Sequence, residues 1–214
     1  MVKPANPDVT KTTANSNISA TSAQSVSKQI NLDENDYFKN GQTKVLHKDY
    51  KGAVADYTRA VDINPKFSSA YYCRGNVKCC LKDFSGGISD YTKAIEFDPK
   101  DANTFFMRAI AKSSLNDYSG IVDDLSRAIE IEPENVTFYQ LRGQANIQVE
   151  DFIGARQDYT KALALDPENA ISYYNRGIAR LLSGSEFSAY SDLKRAGELG
   201  YSQAYQVIKE AGLF

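Results

Sequence analysis

Proline returns at a fixed interval along this chain. Pro65, Pro99, Pro133 and Pro167 are each 34 residues apart. Asp49, Asp83, Asp117 and Asp151 keep the same interval, each followed by Tyr or Phe. Ala60, Ala94, Ala128, Ala162 and Ala196 fall in phase with them. The segment DFSGGISDYTKAIEFDP, from Asp83 to Pro99, comes back as DFIGARQDYTKALALDP from Asp151 to Pro167. A period of this length marks stacked copies of one supersecondary unit, none of which can bury its apolar face alone.

Each unit reads as two helices. Tyr50, Val54, Tyr57 and Val61 recur at helical spacing, as do Phe84, Ile88, Tyr91 and Ile95 one period later. The proline then stops the second helix, because it lacks an N–H and clashes with the preceding turn. The first helix opens with an aromatic pair: Tyr37-Phe38, Tyr71-Tyr72, Phe105-Phe106, Phe138-Tyr139 and Tyr173-Tyr174. A short polar turn such as Leu81-Lys82-Asp83 forces the two helices antiparallel. Across it Arg74 faces Asp90, and the spacing repeats as Arg108/Asp124, Arg142/Asp158 and Arg176/Asp192, with Asn40/Asp56 as a weaker first version. An ion-pair ladder inside the hairpins is expected; if exposed, each pair would contribute only about 0–1 kcal/mol. Small residues face one another at Gly41/Ala53, Gly75/Gly87, Gly143/Ala155 and Gly177/Ala189. The third unit has Ala109/Ile121 instead, which predicts a slightly wider hairpin.

These residues resemble the tetratricopeptide repeat (TPR) family. The period matches, and so does the pattern Tyr71, Gly75, Gly87, Tyr91, Ala94, Pro99 within one unit. The resemblance implies an all-α, right-handed α-solenoid of five helical hairpins. The units run over about 34–67, 68–101, 102–135, 136–169 and 170–201, with a capping helix over about 202–212. In the fifth unit the turn from Ser183 to Glu186 reads as one residue longer, and Tyr201 stands where proline is expected. Gly197 and Gly200 are read as ending that helix. Ser202 is read as the N-cap of the last helix, with Ala204, Tyr205 and Ile208 covering the end of the stack.

Residues 1–31 hold none of the 14 tyrosines and 10 phenylalanines, and their apolar residues follow no period. A Ser/Thr/Asn-rich segment of this kind cannot offset its ordering entropy, which predicts a disordered tail. A net charge of -2 leaves no electrostatic footprint for nucleic acid or an anionic membrane. No apolar run approaches the roughly 18 residues that cross a bilayer. Three cysteines, with Cys79 and Cys80 adjacent and Cys73 nearby, do not form a secreted disulfide framework. They point to a reducing, cytoplasmic setting. An exported chain that had lost a signal peptide would read the same, and only there would the sequons at Asn17 and Asn135 matter.

The resemblance also implies a binding wall on the first helices. Carried over by position, its residues are Asn35, Phe38 and Gln42; Ser69, Tyr72, Asn76 and Cys79; Asn103, Phe106, Ile110 and Ser113; Thr137, Gln140, Gln144 and Ile147; and Ile171, Tyr174, Asn175 and Ile178. None is charged. Amides pair with the N–H and C=O groups of an extended chain, while aromatics supply contact area. The expectation is a non-enzymatic scaffold that binds a weakly charged peptide, without the Lys/Arg clamp of chaperone-binding TPR proteins. The same aromatics would also serve as packing between hairpins. Two other classes compete: self-association through stack ends or the tail, and metal or redox chemistry at the cysteines. The cysteines lack CxxC spacing, and the one histidine, His47, falls in a turn without a partner for base catalysis. No catalytic residue, cofactor or metal is therefore expected.

Overall fold

The structure is a computed structural model that describes residues 32–213. The tail expected over 1–31 lies outside them. The described residues form eleven helices and no strand: α1 Glu34–Leu46, α2 Tyr50–Ile63, α3 Ser68–Cys80, α4 Phe84–Phe97, α5 Ala102–Ser113, α6 Tyr118–Ile131, α7 Val136–Gln148, α8 Phe152–Leu165, α9 Ala170–Leu182, α10 Glu186–Glu198 and α11 Gln203–Glu210. Consecutive helices pair into five hairpins, and the second helix of each hairpin packs on the first helix of the next. First helices also approach one another, α3 with α5 and α7 with α9; second helices show no comparable approach.

Local chemistry fixes each hairpin. Asp49, Asp83, Asp117 and Asp151 cap α2, α4, α6 and α8, accepting the N–H of Gly52, Gly86, Gly120 and Gly154 at 2.9–3.0 Å. A Cβ on any of these glycines would collide with the capping carboxylate, so the recurring signature is Asp-x-x-Gly. The residue before each cap (Lys48, Lys82, Asn116, Glu150) holds a positive φ near 60°, which reverses the chain in three or four residues.

The core is a column of side chains at one register position: Tyr57, Tyr91, Leu125, Tyr159 and Leu193, all 0–2% exposed. The glycines of the first helices exist chiefly for this column. A Cβ at Gly41, Gly75 or Gly143 would lie 2.6, 2.9 or 3.0 Å from the ring of Tyr57, Tyr91 or Tyr159. The facing small residue, stressed by the sequence reading, is the lesser constraint. In the third hairpin both partners change together, to Ala109 and Leu125.

Several sequence expectations need correction. The fifth turn, residues 183–185, is no longer than the first, second or fourth. The longer one is the third, residues 114–117, because α5 stops at Ser113. There the Ser113 hydroxyl donates to the Ile110 carbonyl at 2.7 Å and competes with the helix ladder. Ser202 makes no capping bond with its side chain. Gly200 ends α10 with φ at 98°, but Gly197 lies inside that helix, leaving room for the Tyr205 ring. Tyr205 stays 49% exposed; Ala204, Ile208 and Leu213 make the buried contact with α10. Among the described residues no helix is long and apolar enough to cross a membrane.

Candidate functional site

The charged ladder is buried. Asp90, Asp124, Asp158 and Asp192 are 2–4% exposed. Arg74 donates from Nε and Nη2 to the two oxygens of Asp90 at 2.9 and 2.7 Å. Arg108, Arg142 and Arg176 hold Asp124, Asp158 and Asp192 in the same forked way. The remaining arm, Nη1, reaches back to a hydroxyl of the preceding hairpin: Thr58, Thr92, Ser126 and Thr160, at 3.0–3.2 Å. The ladder therefore joins successive hairpins as well as the helices within one. A second cation one turn further on, Lys78, Lys112 or Arg180, completes Asp90, Asp124 and Asp192 at 2.6–2.9 Å. In the first hairpin the partner of Asp56 is Lys44 at 2.8 Å, not Asn40, because a lysine one turn on can span the gap.

The fourth hairpin differs. Asn146 occupies the second-cation position and donates to Asp158 at 3.0 Å. Burial raises the Asp158 carboxyl above the ordinary 3.8, with the Arg142 hydrogen bonds and charge opposing. The folded state thus holds this proton more tightly than the unfolded chain. Its contribution is fully present below 3.8 and is lost as pH rises through the raised folded value. Asn146→Lys supplies the missing cation. The expected result is a downward move of the Asp158 carboxyl in a carbon-detected NMR titration, with the thermal midpoint gaining more at neutral than at acid pH. An unmoved titration would show that the added charge does not reach the carboxylate.

The expected wall residues divide by role. Phe38 lies 5.0 Å from Phe67 and 5.7 Å from Tyr57, Phe106 lies 5.4 Å from Phe138, and Tyr174 lies 4.7 Å from Tyr201, ring centre to ring centre. Tyr72 packs on Tyr91, and its hydroxyl accepts from Asn103 at 2.7 Å. Phe38, Tyr72 and Phe106 reach the next hairpin and Tyr174 the segment after α10; each is half-buried. Two amides are also engaged: Asn76 accepts from the Tyr91 hydroxyl at 2.7 Å, and Gln140 donates to Asn169 and Ser172. Gln42 and Gln144 are exposed, and among the described residues their side chains make no hydrogen bond; Ile110 is 40% exposed. Ile178 and Asn175 are half-buried. Asn175 stands one residue out of register with Tyr174, at the position of Cys73 and Leu141, which pack against neighbouring helices.

Sequence reasoning missed a cavity of about 310 Å³ between the third and fourth hairpins. Ser113, Tyr118, Leu125 and Gln148 line it beside Ile110 and Gln144. The signal was present as Leu125 together with Ser113: Leu193 also breaks the column of tyrosines, but there Leu181 stands at the position of Ser113.

The cysteines offer little chemistry. Burial pushes the Cys73 and Cys79 thiols up, which lowers the thiolate fraction that nucleophilic attack requires. Cys80 is exposed rather than buried. Among the described residues no group of three or more His, Cys, Asp or Glu is placed to hold a metal ion. His47 is exposed in the first turn, its Nδ1 2.8 Å from the Thr43 carbonyl.

The hairpin stack and its Gly–aromatic column define a helical-repeat solenoid. Within that class the array has the TPR fold: residues 150–184 match the family described as TPR repeat. Solved structures agree. YrrB, described as a TPR protein with an unusual peptide-binding site, is 19% identical with a TM-score of 0.75, over 83% of this chain and 92% of its own. A crystal structure of MamA is 20% identical with a TM-score of 0.73, over 80% and 94%. MamA from Desulfovibrio magneticus RS-1 is 17% identical with a TM-score of 0.69, over 79% and 96%. No curated protein sequence matches the chain.

Proposed function

We propose that this chain is a non-enzymatic interaction scaffold that receives an extended, weakly charged segment of a partner protein along its first helices. The observation that carries the reading is the wall's composition. Its exposed side chains, Gln42, Ile110, Gln144 and Ile171, carry no charge, while the first-helix arginines Arg74, Arg108, Arg142 and Arg176 are drawn inward to the ladder. The closer approach of first helices supports the same side as the inner, concave one, where an extended chain meets several hairpins at once. The peptide-binding description of YrrB lends the fold a precedent.

The test is a pull-down with the full chain, comparing wild type with the triple variant Asn35→Glu, Gln42→Glu, Ile171→Glu. All three positions are exposed. Desolvating carboxylates against a neutral segment is expected to reduce partner recovery by at least about tenfold, with helicity and melting unchanged. Undiminished recovery would place the contact on the second helices.

A further inference from the structure

We infer that the cavity between the third and fourth hairpins is the anchor point of the proposed wall, and that it takes one leucine-sized or phenylalanine-sized side chain from an uncharged, extended peptide. This rests on the wall reading above. The cavity arises from two volume losses at one place. Leu125 replaces the tyrosine found at Tyr57, Tyr91 and Tyr159, and Ser113 stands where Val45, Cys79 and Ile147 stand elsewhere. In the second hairpin the buried Tyr91 ring takes the position of Leu125, and its hydroxyl donates to Asn76 at 2.7 Å. Ala109 explains why the third hairpin cannot be filled in the same way. A Cβ at the matching Gly75 would lie 2.9 Å from the ring, so alanine and tyrosine exclude each other there.

The floor is apolar and buried: Ile121 is 6% exposed and Leu125 0%. The rim is exposed and polar, with Gln144 and Gln148 on α7. Among the lining residues none is charged. That arrangement suits a peptide whose apolar side chain enters while its backbone amides pair with the rim glutamines. At about 310 Å³ the cavity sits at the lower bound of ordinary ligand pockets, roughly 300 Å³. It has room for one large apolar side chain. An acidic or basic side chain would lose its hydration without gaining a countercharge.

The experiment uses capped octapeptides of Ser and Asn with one central Leu, Phe, Ala or Asp, titrated by calorimetry against the intact chain. Leu and Phe peptides are expected to bind at least about tenfold more tightly than Ala, with Asp weakest. The variant Ala109→Gly with Leu125→Tyr restores the pattern of the first, second and fourth hairpins and should abolish that preference. Ser113→Ile, which narrows the rim with the residue found at Ile147, is the second variant and should do the same. If the preference survives both variants while Gln42→Glu weakens binding, the cavity assignment is wrong and the wall reading stands. If neither set of changes matters, both are wrong. If no octapeptide binds, the cavity assignment falls, and the pull-down alone decides the wall. Concentration-dependent sedimentation abolished by the cavity variants would hand the site to a second copy of the chain and overturn the peptide assignment.

Discussion

Asp124→Ala is expected to lower unfolding stability by about 3–5 kcal/mol, measured by urea titration. The carboxylate is 2% exposed and accepts from both Arg108 and Lys112. Its removal leaves two cations facing each other in a site that water barely enters. It also frees the Arg108 fork whose third arm holds Thr92 of the preceding hairpin. Stability in a repeat array is a sum of unit and interface contributions, so a break in the third hairpin weakens the joints on both sides. The urea curve should therefore broaden or split as well as shift. Neutralising Lys93 and Glu96, an exposed pair on α4, should leave the curve unchanged. Equal effects from the two changes would mean that burial is not what gives the ladder its strength.

Ending the chain at Leu199, which removes α11, is expected to turn a well-behaved array into one that associates and precipitates as concentration rises. Ile208 and Leu213 bury their side chains against α10, each contributing about 1.5–3 kcal/mol. Without them Leu193 and Ala196, both fully buried, face water together with Tyr174, whose ring partner Tyr201 is also lost. A contiguous apolar end of that kind recruits a second molecule. Sedimentation velocity over a range of concentrations reads the effect, and Ile208→Asp in the untruncated chain should reproduce part of it. A truncated chain that stays monomeric and melts like the parent would show that α11 is peripheral to the stack.

The helices and their pairing were legible because a 34-residue period in Pro, Asp, Ala and aromatic residues repeats a single packing problem five times. What escaped the sequence depends on partners in three dimensions. The bond from Arg108 back to Thr92 crosses a hairpin boundary that spacing within one unit does not reveal. The burial of Asp90, Asp124, Asp158 and Asp192 also escaped, because charge in a sequence reads as surface. Asp-x-x-Gly was visible but unread, since a glycine at the third helical position suggests flexibility before it suggests room for a cap. Of the wall, position along the first helix predicted exposure well for Gln42, Ile110 and Gln144. It did not separate them from Asn76 and Gln140, whose amides are taken by Tyr91, Asn169 and Ser172. The cavity at Leu125 was easy to overlook, because leucine is an ordinary core residue when seen alone and recurs at Leu193; only its coincidence with Ser113 sets the third hairpin apart.

The most direct test of the account is a methyl NMR map of the chain bound to the leucine octapeptide. Exposed isoleucines mark the two faces: Ile110 and Ile171 lie on first helices, Ile63 and Ile153 on second helices. Shifts at Ile110 and Ile171, with Ile121 responding beneath them and Ile63 and Ile153 silent, are the predicted result. Shifts confined to Ile63 and Ile153 would contradict it.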